Sequence, residues 1–251
     1  MRQAIDFFSY GVTQLFTNFG AALRLTGLIW IAAKLIIVAL GLIMIGTADT
    51  ATGLAPDAEG EIPGLAATFT VMSFLITFLA TAWISLMWHR FCLGADTPQG
   101  AVPSLKGLPF TNYLFSLLLL VVVMAGAGLI LGFAERALQP VLPFTAALAL
   151  PLVIIFIILW LFLRLATILP ATAAGQVLSI KQAWSGSRGK SIWLLTVLAF
   201  IMAIILTLPT ILIPSLPILK VIISFVTSWL AVLIGTGWLV AIFRTIPLER
   251  K

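Results

Sequence analysis

The chain has 251 residues, of which 62% are hydrophobic and only 9% charged, with a net charge of +6 and a mean hydropathy of +1.21. A water-soluble globule carries about 25% charged residues, so that class is excluded. What remains is an all-α, polytopic membrane protein: one membrane domain over residues 1–251, with room for about six spans of about 20 residues and none for a separate catalytic head.

The opening residues, MRQAIDFFSYGVTQLF, lack a compact apolar stretch followed by a small-residue cleavage site, so no removable signal peptide is expected. Phe8, Val12, Leu15, Phe16, Phe19 and Leu23 recur at intervals of three and four. This predicts an amphipathic helix suited to the interface of a bilayer. A first span is expected at about 27–46, ahead of a segment carrying Asp49, Asp57, Glu59 and Glu61 without any Lys or Arg. The second span, about 65–88, ends in His89, Arg90 and Phe91; a turn-rich segment with Lys106 leads to a third at about 113–133. After a link holding Glu135, Arg136, Pro140 and Pro143, the fourth span covers about 146–163 and stops at Arg164. Ser179 followed by Gln182 reads as a capping box for a short amphipathic cytoplasmic helix between spans four and five, ended by Gly186 or Gly189. The fifth and sixth spans follow at about 192–213 and 218–243, joined by PSLP.

GSRGKSIW, residues 186–193, contains the Gly-Lys-Ser triplet of a phosphate-binding loop. The loop's first glycine, however, belongs five residues before Gly189, where Trp184 stands. The stretch is read as the start of a span, and neither a nucleotide nor a nucleic acid partner is expected. With the N-terminus inside, all of the fourteen basic residues except Arg136 and Lys220 fall on the cytoplasmic side. By the positive-inside rule both termini are then cytoplasmic, in a bacterial inner membrane. The even-numbered spans each end at an arginine, Arg90, Arg164 and Arg244, which suggests either three repeated hairpins or the ordinary inward bias of basic residues.

The expected spans hold no Asp or Glu, so the buried carboxylate on which proton-coupled carriers usually rely is missing. One histidine and one cysteine, His89 and Cys92, supply neither a catalytic cluster nor a complete metal site, and no cofactor is expected. His89 beside Trp88 reads as an interfacial imidazole. Lys34 is the one cation inside a span, and it either snorkels past Trp30 to the headgroups or contacts a substrate. Ser73, Thr77, Thr81 and Ser85 put a ladder of hydroxyls on one face of the second span, for close packing or for a transport path. Gly128 and Gly132 on the third span, and Ser224, Ser228, Ala231 and Gly235 on the sixth, offer comparable small faces. Trp30, Trp88, Trp160, Trp184, Trp193 and Trp238 all fall near the cytoplasmic side, interleaved with basic residues. From this one-sided clustering, Arg90, Arg164, Arg188 and Lys190, framed by Trp88, Trp184 and Trp193, are expected to contact anionic lipid headgroups.

The segment RLATILPATAAGQVLSIKQAWSGSRGKSIWLL, 164–195, resembles a recurring pattern of uncharacterised bacterial inner-membrane proteins: Arg and Pro at the end of a span, a short helix, Ala-Trp or Ser-Trp, then Arg-Gly before the next span. Similar segments occur in the membrane region fused to some glycerophosphoryl diester phosphodiesterases, and WHRFCLGADTP, 88–98, looks like a second shared element. The resemblance implies a six-helix domain linked to membrane or lipid biology. It implies no phosphodiester hydrolysis, because the catalytic domain of the fused proteins has no counterpart here. A non-enzymatic role in organising lipid, or as an accessory subunit beside a membrane-protein partner, is the resulting expectation, with transport of a small or apolar solute as the alternative.

Overall fold

A computed structural model describes residues 2–52, 63–95, 106–189, 191–212 and 217–247. Among them there is no strand, and six helices are long and apolar enough to cross a bilayer. The chain is a multi-pass membrane protein. Its helices are α1 (Arg2–Thr17), α2 (Phe19–Ala22), α3 (Leu28–Thr52), α4 (Pro63–Leu93), α5 (Phe110–Leu138), α6 (Phe144–Leu165), α7 (Ile168–Ala173), α8 (Ile180–Gly186), α9 (Ile192–Leu212) and α10 (Pro217–Phe243). The expected spans correspond to α3, α4, α5, α6, α9 and α10, most of which run further at one or both ends; α3 starts one residue after the expected 27, and residue 213 lies outside the described residues. The acidic segment with Asp57, Glu59 and Glu61 lies outside the described residues, as does Lys190.

The expected N-terminal amphipathic helix is α1. It ends where side chains take over carbonyls that the next turn needs: Thr17 Oγ1 donates to the Thr13 carbonyl at 2.7 Å and Asn18 Nδ2 to that of Gln14 at 3.0 Å. A wide π turn over Leu23–Gly27 then leads into α3, and the apolar stretch begins at Phe19 rather than near Gly27. The face of α1 that is covered runs through Ala4, Phe7, Gly11 and Leu15, with Phe8 and Val12 at its margin and Phe16 exposed. That is about one position off the stripe read from spacing, because a glycine counts as no hydrophobe yet lets a helix come closest. Gly11 lies against α10 at Gly237: a Cβ on Gly237 would stand 2.8 Å from Gly11 Cα, and one on Gly11 2.7 Å from the Ile234 carbonyl oxygen. The small pairs expected to mediate close approach do less. A Cβ on Gly132 or Gly235 would meet nothing within 4 Å, and one on Gly128 only Ile158, at 3.7 Å.

Neighbouring helices run α4, α5, α6, α9, α10 and back to α4, with α3 outside against α4. The short α7 is wedged among α4, α5 and α10, and all six of its residues are buried. Burial is confined to one end of the bundle. Residues 67–79, 121–162 and 200–228 include no buried side chain among those described, whereas Ala80–Cys92, Leu163–Ala173 and Trp229–Phe243 hold most of the core. In hydrocarbon an apolar surface gains nothing by leaving the solvent, so cohesion must come from tight packing and hydrogen bonds. The buried end supplies both. Indole N–H groups tie the helices together there: Trp88 to the Leu233 carbonyl (3.1 Å), Trp238 to that of Phe8 (3.1 Å), Trp30 to that of Phe225 (3.0 Å) and Trp229 to Thr26 Oγ1 (2.9 Å).

Candidate functional site

A helix leaves its last carbonyls unpaired and carries a partial negative charge at that end. The three arginines that close α4, α6 and α10 each use such a carbonyl on another helix. Arg90 Nη1 donates to Ala173, the final residue of α7, at 3.1 Å; Arg164 Nη2 to Trp184, in the last turn of α8, at 2.7 Å; and Arg244 Nη2 to Cys92, in the last turn of α4. A hydrogen bond to a charged group contributes about 1.5 to 3 kcal/mol, so cations are held at this end through backbone oxygens. The Cys92 carbonyl also accepts from Tyr10 of α1, at 3.3 Å, and the Arg244 guanidinium lies over the Tyr10 ring. Burial raises the Tyr10 pKa above its ordinary value, which keeps the hydroxyl a donor.

Arg164 does more than cap. Its Nε donates to Ser187 Oγ at 3.1 Å, its Cζ stacks 3.6 Å from the centroid of the Trp184 ring, and Trp160 meets Trp184 edge to face with centroids 5.6 Å apart. The connector onward is shaped by left-handed backbone. Gly189 has φ +74, which glycine adopts freely. Ser191, with φ +53, takes the same region despite its side chain, a local strain at the entry of α9. Trp160, Arg164, Ser187 and Arg188, with Ile192 and Trp193 at the start of α9, line an open cavity of about 320 Å³. Among the described residues no carboxylate lines it. The two arginines are near enough to repel one another, and the positive end of a 21-residue helix opens onto the same space. Arg188 is exposed and its guanidinium makes no hydrogen bond among the described residues. Two unneutralised cations, an oriented helix end and aromatic walls suit a phosphate with an apolar body attached.

Of the residues expected to frame a headgroup, Arg164, Arg188 and Trp193 line this cavity, and Trp184 forms the floor under Arg164. Two do not belong to it. Trp88 is fully buried, stacked on Phe91 at 5.1 Å, and Arg90 is engaged with α7. The reason is that α7 folds back beneath the end of α4 and covers what would otherwise be interface. Trp160 was placed in the cytoplasmic aromatic cluster by sequence but not among the headgroup-framing residues, and Ser187 was not singled out. Trp160 stands one helical turn before Arg164, a spacing that marks a shared face once Arg164 is known to matter.

His89 is not the interfacial imidazole that its neighbour Trp88 suggested. It is wholly buried, with Nδ1 2.9 Å from the Tyr113 hydroxyl, Nε2 unpartnered among the described residues, and Ser85 within reach of the same tyrosine. Lys34 is half-buried, its Nζ 4.4 Å from the centroid of the Trp30 ring and 5.8 Å from that of Phe225, so ring faces attract it on its way past Trp30. On the hydroxyl face of α4, Ser85 is buried while Ser73, Thr77 and Thr81 are half-buried. None of them lines the cavity at Arg164. Compared with protein families, curated proteins and solved structures, the chain finds no match.

Proposed function

We propose that this protein is a non-enzymatic, lipid-organising component of a bacterial inner membrane, with both termini cytoplasmic, that holds the phosphate of an anionic lipid headgroup in the cavity between Arg164, Arg188 and the start of α9. The observation carrying this reading is that two arginines line one cavity which, among the described residues, no carboxylate borders. Arg164 is preset by three contacts, and Arg188 stands exposed on the same cavity. Tryptophan at the rim suits the glycerol and upper acyl region.

Arg188 is the residue to change, since it caps no helix. In nanodiscs mixing phosphatidylglycerol with phosphatidylethanolamine, Arg188→Gln is expected to reduce anionic lipid co-retained in native mass spectrometry about fivefold, as removal of about 1 kcal/mol per basic residue implies. Unchanged retention would end the reading. Orientation has its own test. The sole native cysteine is buried, so Ser179→Cys provides the accessible thiol. A membrane-impermeant maleimide is expected to label it only in opened vesicles, and labelling of intact cells would reverse the topology.

A further inference from the structure

A second cavity, of about 310 Å³, lies between the first turns of α5 and the connector that follows α7, and its lining differs in kind from the first. Among the described residues no charged side chain borders it. Asn112 and Gln176 each contribute a carboxamide that makes no hydrogen bond among the described residues, so two amide groups and two carbonyl oxygens stand open. Ser116 Oγ is 3.1 Å from Thr172 Oγ1, while Thr172 Oγ1 donates to the Ile168 carbonyl at 2.9 Å. With the threonine proton so used, Ser116 donates to Thr172 and turns its own lone pairs outward as acceptors. The Phe115 ring, 65% exposed, forms one wall, and Val177, 97% exposed on an extended stretch, forms the rim.

We propose that this cavity binds an uncharged polyol, the glycerol or sugar part of a headgroup. Alternating donors and acceptors without charge match adjacent hydroxyls, each of which gives one hydrogen bond and takes another. An ionic group would find no opposite charge here among the described residues. The exposed aromatic face suits the C–H face of a sugar ring. The volume falls at the small end of ligand sites, enough for one such ring. The start of α5 and the end of α7 place it at the same end of the bundle as Arg164, where headgroups lie.

The test uses the whole protein in nanodiscs doped with a glucosyl diacylglycerol or with the diacylglycerol of identical chains. Native mass spectrometry is expected to show the glucosyl lipid retained over the bare one. In Asn112→Ala/Gln176→Ala that preference falls at least about tenfold, as the loss of two ordinary hydrogen bonds implies. Both positions are exposed, so the fold tolerates the change, and Phe115→Leu, which leaves every hydrogen bond in place, lowers the preference independently. Displacement of the glucosyl lipid by excess free methyl glucoside assigns the site to the sugar alone; resistance to it assigns the site to the sugar carried on its lipid. Equal retention of the two lipids, or a double variant with the native preference, overturns the proposal. Arg188→Gln leaves the glucosyl preference intact, which separates this site from the phosphate cavity.

Discussion

Replacing Gly11 by leucine is expected to lower the unfolding midpoint by roughly 6 to 12 °C, from about 3 kcal/mol of overpacking in a bundle of this size. The argument is steric. The first atom of any side chain at Gly11 would lie 2.7 Å from the Ile234 carbonyl oxygen and against the Trp238 ring, and a carbonyl within a helix has no rotamer by which to yield. Helix α1 must back away, and three links then fail together: the Trp238 bond to the Phe8 carbonyl, the stacking of Phe8 on Trp238 at 5.5 Å, and the Tyr10 bond to Cys92. Gly20 is the matched control, because a Cβ there meets nothing within 4 Å and leucine is the better helix former by about 1 kcal/mol. Gly20→Leu should leave the midpoint unchanged or higher. Thermal unfolding of both variants in the same lipid decides the matter, and equal midpoints would mean that the α1–α10 contact carries no stability.

The second large effect is at Trp88. Truncation to alanine is expected to cost about 3 to 5 kcal/mol, since it opens a void in the packed end and strips a donor from the Leu233 carbonyl. The midpoint should fall by roughly 6 to 20 °C. What makes the variant diagnostic is the accompanying lipid measurement. A tryptophan at the interface would lose bound anionic lipid with little change in stability. A buried one loses stability while the surviving folded protein retains its lipid, and the latter is expected here.

Trp88 also shows where sequence stops being informative. The six spans were readable from length and hydropathy because a bilayer demands both. The capping box was readable as well, and Ser179 and Gln182 do exchange hydrogen bonds, at 2.9 and 3.2 Å. Which side of a span faces protein was not readable. Lipid tails and a leucine core are equally apolar, so the hydrophobic pattern that marks the buried face in water is silent in a membrane. Hence Trp88 and His89 read as interfacial while they are core. ILPATA, 168–173, read as the exit of a span yet forms the plug among α4, α5 and α10. The candidate site was legible in part: Arg164, Arg188, Trp184 and Trp193, picked out by charge and aromatic clustering, do lie together around one connector, whereas the task of Arg90 was hidden because its partner is a carbonyl, which every residue has. The periodic arginines at 90, 164 and 244 turn out to share one job, gripping the end of a neighbouring helix.

The confinement of the core to one end makes the molecule resemble a bouquet tied at the stems. Where hydrocarbon thickness changes, the loosely packed ends of the rods can fan or gather at little cost, since no side chain described in residues 67–79, 121–162 and 200–228 is buried. Amide exchange should accordingly be slowest in Ala80–Cys92 and Trp229–Phe243. Compliance toward the bilayer and rigidity around the cations are thus divided between opposite ends of the same six helices.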